Sequence, residues 1–170
     1  MSFPLSQLNQ LSQPEFIHLV GPMFEHSPWI AEQTWPQRPF GSVENLHAAL
    51  CQTVCEAPQE KQLALIRAHP DLVGRAAVAG RLTRESTGEQ ASAGLNALSP
   101  AEIALFQKQN AAYREKFGFP FVICARLNKK EAILAGFERR LQNSPEQEIQ
   151  AALEEIFKIA ELRLRDLTHQ

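Results

Sequence analysis

SPAEIALFQKQNAAYREKFGFPFVIC, residues 99–124, holds the two features from which the fold is read. Its opening, Ser99-Pro100-Ala101-Glu102, is a helix start. The serine hydroxyl can accept from a free backbone N–H of the first turn, Glu102 can reach back to the serine N–H, and the proline gives up a donor that would be unsatisfied anyway. The pattern then runs to Phe117-Gly118, where glycine supplies the left-handed residue on which helices commonly end. Beyond that glycine, Phe119-Pro120-Phe121-Val122-Ile123-Cys124 is apolar and partly β-branched, as a strand would be. No second run of this kind occurs, so the segment has no strand to pair with and is expected to cross the core alone. Its backbone donors and acceptors then need partners outside any sheet, and a bound polar ligand is one source.

Helix starts recur on both sides of this stretch. Ser12-Gln13-Pro14-Glu15, Ser42-Val43-Glu44-Asn45, Pro58, Asn128-Lys129-Lys130-Glu131 and Ser144-Pro145-Glu146-Gln147 each open one. The helix from Ser42 turns Leu46, Leu50, Val54 and Cys51 inward. The helix from Pro58, with Leu63, Leu65 and Ile66 on its inner side, delivers the chain to His69. Val73 to Arg84 is alanine-rich and expected to be partly helical, and a segment from Ser86 to Leu98 comes next. Pro22 to Phe40, with several prolines and both tryptophans, reads as an irregular, packed connection. The expected fold is all-α: a single domain over residues 1–170, a bundle of about seven to eight helices with one extended core-crossing segment near 119–125.

A chain of 170 residues is long enough for one domain burying roughly 70% of its unfolded surface. The formal net charge of -2 with dispersed Lys and Arg provides no basic stripe for nucleic acid. Met1 to Leu5 lacks the start of a signal peptide, and no run approaches the roughly 20 apolar residues of a membrane span. A soluble, cytoplasmic protein is expected, with Cys51, Cys55 and Cys124 as free thiols. Phosphate-cradling glycine loops, GxSxG and HExxH are all missing from the sequence. His47, Cys51 and Cys55, four apart on one helical face, raise a metal reading, but no further ligand set or CxxC pair supports it.

The residue types suited to chemistry concentrate between 69 and 95. His69 precedes Pro70, whose ring disfavours helix at the residue before it, so the imidazole is held where a helix stops. There it can transfer protons, or it can simply stabilise the last carbonyls of the helix. Asp71 can orient the ring or start the next turn. Ser86 and Glu89 have the spacing of a capping box, which would explain both without a substrate. Capping does not explain Gln90, and Ala91, Ala93 and Gly94 allow close approach of a helix or a ligand. In the last helix Ile149, Leu153, Ile156, Ala160, Leu164 and Leu167 share a face, and Arg163 falls at or beside it. Its anion is either an internal carboxylate or a bound one. Arg126 carries the same ambiguity.

Three segments together, HPDL at His69, STGEQASAGL from Ser86 to Leu95, and FGFPFVICAR from Phe117 to Arg126, resemble the OHCU decarboxylase family. Those enzymes convert 2-oxo-4-hydroxy-4-carboxy-5-ureidoimidazoline (OHCU) to S-allantoin, the last step from urate to allantoin. The resemblance implies an all-helical single domain, usually a homodimer, without metal or organic cofactor. It makes His69 the catalytic acid; in the chemistry expected here, Glu89 is the second catalytic residue, accepting a hydrogen bond or proton from the substrate hydroxyl. Pro70, Ser86, Thr87, Gly88 and Gln90 would bind substrate with the backbone of Phe121, Val122, Ile123, Cys124 and Ala125, and Arg163 would take its anionic side. The ending Thr168-His169-Gln170, unlike the Ser-Lys-Leu type of peroxisomal members, leads to the expectation of a bacterial, cytoplasmic version. Two other readings stand beside this one: a non-catalytic helical interaction module, and a cofactor-free enzyme on another ureido or imidazolone compound.

Overall fold

The computed structural model describes residues 3–74, 77 and 79–168. The described residues form nine α-helices and no strand, so the chain is all-α. In chain order these are α1 (Leu5–Leu8), α2 (Gln13–Val20), α3 (Trp29–Thr34), α4 (Val43–Glu56), α5 (Gln59–Ala68), α6 (Arg84–Ser92), α7 (Pro100–Phe117), α8 (Lys130–Arg140) and α9 (Pro145–Thr168). They fall into two compact units, one made of Met1–Ala68 and Phe157–Gln170, the other of His69–Ile156.

In the first unit α2 opens on Ser12 with the reciprocal box to Glu15, and α4 on Ser42, whose hydroxyl accepts from the Asn45 N–H at 3.1 Å. Such caps contribute about 1 kcal/mol each. Leu46, Leu50 and Val54 are fully buried with Leu8, Phe16, Val20, Ile30, Leu65 and Ile66, while Cys51 and Leu63 are half-buried. Residues 22–40 are more regular than their prolines imply. A 3₁₀ turn at Gly21–Met23, α3, and a second 3₁₀ turn at Trp35–Gln37 occupy most of the stretch, each with its proline at or just before the first turn, where no N–H is missed. Arg38 binds the Asn9 and Leu11 carbonyls at 3.0 and 2.6 Å, and the Asn9 side chain brackets Phe40 with two 2.9 Å bonds.

In the second unit α7 begins with the expected Ser99–Glu102 box and ends at Gly118, whose φ of 75° is the left-handed conformation the sequence calls for. Phe119 to Cys124 is buried and neither helical nor paired as a strand, with an extended backbone at Cys124. Phe121 stacks on Phe137 of α8 at 3.9 Å between ring centroids, and Tyr113 of α7 meets Phe121 edge-on at 5.2 Å. The start of α8 departs from expectation. Its N-cap is Lys129, with no side-chain cap, because the Asn128 amide is turned back onto the Cys124 carbonyl at 2.9 Å. Ser144 and Gln147 open α9 reciprocally, as expected. The expected partial helix over Val73 to Arg84 rests on residues 75, 76 and 78, which lie outside the described residues, as do His169 and Gln170.

Candidate active site

Helix α6 organises the second unit's polar residues, and it is not capped as the Ser86–Glu89 spacing implies. Its N-cap is Thr83, whose Oγ1 accepts from the Ser86 N–H at 3.2 Å, so the helix starts three residues before the position that a Ser86 cap requires. Thr83-Arg84-Glu85-Ser86 has a capping hydroxyl but no Glu or Gln three residues on, which is why the box pattern passes over it. The helix ends on Gly94, φ 80°, in the paired motif that satisfies its last carbonyls: Gly94 N–H donates to Ala91 O and Leu95 N–H to Gln90 O.

With capping removed, Ser86, Glu89, Gln90 and Ala93 are left at helical spacing on one face. Ser86, Gln90 and Ala93 are buried and Glu89 is half-buried. Thr87 and Gly88 are exposed, and the Thr87 hydroxyl is bonded to the Thr83 carbonyl at 2.8 Å.

Gln90 joins this face to the turn that carries His69. Its Oε1 accepts from the Val73 N–H at 3.1 Å and its Nε2 donates to the Asp71 carbonyl at 3.4 Å. From α7, Asn110 donates to the Leu72 carbonyl at 2.7 Å, and Arg114 Nε meets both Asp71 carboxylate oxygens, at 2.9 and 3.1 Å. Val73 sits at φ 54°, a costly conformation for a β-branched residue, on the order of 1–3 kcal/mol. Bonds from the Gln90, Asn110 and Arg114 side chains to three consecutive residues hold it there. His69, one residue past the end of α5, is buried at 6% exposure, and Pro70 is half-buried. The Asp71 carboxylate serves to fix the turn through Arg114.

The other side of α6 leads to the extended segment. α6 packs on the 3₁₀ turn Ala125–Leu127, and Lys129 reaches the Ser92 carbonyl at 3.1 Å. Phe121 through Ala125 are all buried, while Arg126 is exposed. The backbone of this stretch is held by side chains: Val122 O by Arg140 of α8, Cys124 N–H by Glu155 of α9 at 2.8 Å, and Cys124 O by Asn128. Burial raises the Cys124 thiol pKa, and the charges of Glu155 and Glu89 raise it further against opposing backbone donors. The thiol is therefore kept protonated in the presence of two carboxylates.

Sequence reasoning did not identify Arg140, Glu148 or Glu155. Arg140 and Glu148 are 5% and 0% exposed and form an ion pair at 2.9 Å. Tyr113 also donates to Glu148, as does Asn143 at 2.8 Å, and the guanidinium lies 4.4 Å from the Phe121 ring centre. A signal for Glu148 existed, since it precedes Ala152 and Ile156 by four and eight residues on the inward face of α9.

Arg163, in the first unit, is buried as expected of its place on α9. It donates to Pro22 O at 3.0 Å and pairs with buried Glu25 at 3.2 Å. His47 Nε2 lies 2.9 Å from the Phe157 carbonyl and 3.4 Å from Cys51 Sγ, and no metal-binding group of three His, Cys, Asp or Glu occurs among the described residues. Likewise no helix among them is long and apolar enough to cross a membrane. A cavity of about 360 Å³ lies along the flank of α6 bearing Thr87, Gln90 and Ala91, with Val73 and Leu95 in its wall.

Residues 9–165 match the family described as OHCU decarboxylase. The chain is 45% identical to the 2-oxo-4-hydroxy-4-carboxy-5-ureidoimidazoline decarboxylase of Amia calva, covering 96% of this chain and 93% of that one. It is 44% identical to the protein of the same name from Halalkalicoccus jeotgali, over 96% and 91% of the two chains. The crystal structure of an (S)-allantoin synthase superposes with a TM-score of 0.76 at 29% identity, over 96% of this chain and 53% of that one. Relatives from organisms this diverse do not mark the chain as a bacterial type.

Proposed function

The chain belongs to the OHCU decarboxylase family, and on that premise we propose that it converts OHCU to S-allantoin. The observation that carries the reading is the convergence on α6: Gln90 ties it to the His69 turn, and its packing on Ala125–Leu127 ties it to the extended segment. The substrate bears its carboxylate on a carbon that also carries a hydroxyl and adjoins a C=N bond. When the bond to the carboxylate breaks, CO2 leaves and the electron pair enters that π system, giving an enol-like intermediate. The protein then has two tasks: to hold the carboxylate so that its bond can break into the π system, and to deliver a proton to one face of the neighbouring ring carbon.

In this proposal His69 delivers the proton, and the rigid turn behind it fixes which face receives it. Glu89 accepts a hydrogen bond or proton from the substrate hydroxyl. Ser86, Gln90 and the backbone of 121–125 pair with the ring and ureido amides, beside Pro70. Thr87 and Gly88 belong to the same proposed substrate-binding stretch, with Thr87 on the flank of α6 that lines the cavity. Arg163 is kept as a separate proposal drawn from the resemblance: Arg163→Lys should raise KM for the anionic substrate more than it lowers kcat. A homodimer, a cytoplasmic location and one cooperative domain over 1–170 belong to the same reading. Size-exclusion chromatography and a single unfolding transition would support the first and third.

The decisive experiment monitors circular dichroism of allantoin formed when the protein is added to OHCU freshly generated from urate. The expected result is faster formation of the S enantiomer than in the spontaneous racemic decay, lost in His69→Gln while its Tm is kept. A racemic course at the spontaneous rate with folded wild-type protein would favour a binding module instead.

A further inference from the structure

Resting on the decarboxylase reading, we propose that Glu155 is a positioning residue for this reaction, holding the Cys124 N–H and thereby setting the backbone of 121–125 against the substrate. The extended segment has no neighbouring strand, so each buried peptide group in it needs a partner from elsewhere. Three are supplied at fixed points: Arg140 at Val122 O, Glu155 at Cys124 N–H, and Asn128 at Cys124 O. Ile123, between these anchors, has no hydrogen-bonded partner on its own backbone N–H or C=O among the described residues, though it is only 8% exposed. The Val122–Ile123 and Ile123–Cys124 peptide groups are thus each pinned at one end and open at the Ile123 end, an arrangement that a ligand amide or carbonyl can complete.

Glu155 is the carboxylate among these anchors. An ionised acceptor gives a stronger bond to a backbone N–H than a neutral one does, so Cys124 is held more firmly than a glutamine would hold it. It also lies on α9, a different element from Asn128, so the two peptide groups on either side of the Cys124 Cα are held from two directions. The Cys124 carbonyl also accepts from the Leu127 N–H at 3.1 Å, so it is loss of the Glu155 bond that lets the Ile123–Cys124 peptide rotate away from the orientation in which its Ile123 carbonyl meets a ligand. The consequence falls on binding and on the face presented to the proton donor, more than on the bond-breaking step itself.

The test uses the full chain with Glu155→Gln, Glu155→Ala and Glu155→Asp. Glutamine still offers Oε1 to the Cys124 N–H, so KM and S-allantoin excess should stay within about threefold of wild type. Alanine removes the acceptor, and KM should rise by about tenfold or more, from loss of a charge-assisted bond, with kcat changed less and the enantiomeric excess reduced. Aspartate keeps the charge but shortens the reach by one methylene; it should behave like alanine, and serves if the alanine variant does not fold. Amide hydrogen exchange at Cys124, read by NMR, should accelerate in the alanine and aspartate variants independently of any turnover. The inference is overturned if both lower Tm yet keep KM and enantiomeric excess at wild-type values, or if Cys124 exchange is unchanged. Failure of the decarboxylase reading looks different: wild type itself would then give racemic product at the spontaneous rate, whatever happens to the Cys124 amide.

Discussion

Replacing Glu148 by glutamine should destabilise the protein far more than its conservative size change implies. The carboxylate is fully buried and surrounded by donors: Arg140 Nε at 2.9 and 3.2 Å to its two oxygens, Asn143 Nδ2 at 2.8 Å, and the Tyr113 hydroxyl. Burial, the largest influence, pushes the Tyr113 pKa up, so that hydroxyl remains a donor at any working pH. Glutamine returns one acceptor oxygen and adds two donors where only acceptors are wanted, and it strands the Arg140 charge at 5% exposure. Breaking a buried pair in this way costs about 3–5 kcal/mol. For a chain of this length, that corresponds to a Tm lower by on the order of 10 °C. Glu161→Gln, which breaks the exposed 2.7 Å pair with Arg165 on α9, is the matched control and should cost about 0.3–0.5 kcal/mol. Urea unfolding of both variants beside wild type measures the difference. Arg140→Met with Glu148→Leu should regain part of the loss, because no charge is then left buried alone, but Val122 O, Tyr113 and Asn143 still lose their partner. Equal costs for Glu148→Gln and Glu161→Gln would refute the account, as would a double variant less stable than the single one.

Gln90→Leu leaves the Val73 N–H buried without its acceptor and should cost about 1–3 kcal/mol in denaturant unfolding. Its kcat should fall as well, because the turn after His69 loosens; unchanged kcat would separate the histidine from that turn. Thiol labelling at pH 8 should modify exposed Cys55 first, because burial, with the charges of Cys55 and Glu161, holds Cys51 up to about 12 and burial also raises Cys124. Mass spectrometry showing Cys51 modified as fast as Cys55 would contradict this. Glu102 is held down to about 2 from 4.5, first by its bond from Lys130 and then by those from Ser99. A depressed carboxylate stabilises the fold above 4.5 and loses that contribution as pH falls towards 2. The stability gap between wild type and Glu102→Gln should therefore close across that window in acid titrations monitored by far-UV circular dichroism.

Local signals carried most of the fold. Where a helix begins with a hydroxyl and a Glu or Gln three residues later, as at Ser12, Ser99 and Ser144, the observed start agrees with the sequence, because the cap is satisfied by neighbours in the chain. At Asn128 the same chemistry misleads, since its amide serves a carbonyl four residues earlier, and nothing local reveals that demand. Thr83 is the converse case: a cap without the box, so Ser86 is taken for the start of a helix it sits inside. Among the candidate residues, the helix end at His69 was legible from the proline after it, and Gln90 stood out for having no capping role. Arg140, Glu148 and Glu155 were not, because their functions depend on partners 18, 35 and 31 positions away. A charged residue in an amphipathic helix looks like solvent-facing charge until the element it meets is known.

The lone extended segment also shapes how this protein can change over generations. In a sheet, the neighbouring strand supplies hydrogen bonds from its main chain, so most substitutions leave the ladder in place. Here Arg140, Glu155 and Asn128 supply them from side chains, and each bond can be erased by one codon change. Saturation mutagenesis should thus invert the usual profile for a buried strand: apolar positions 119–124 tolerating swaps of similar volume, and three polar positions on surrounding elements tolerating almost none.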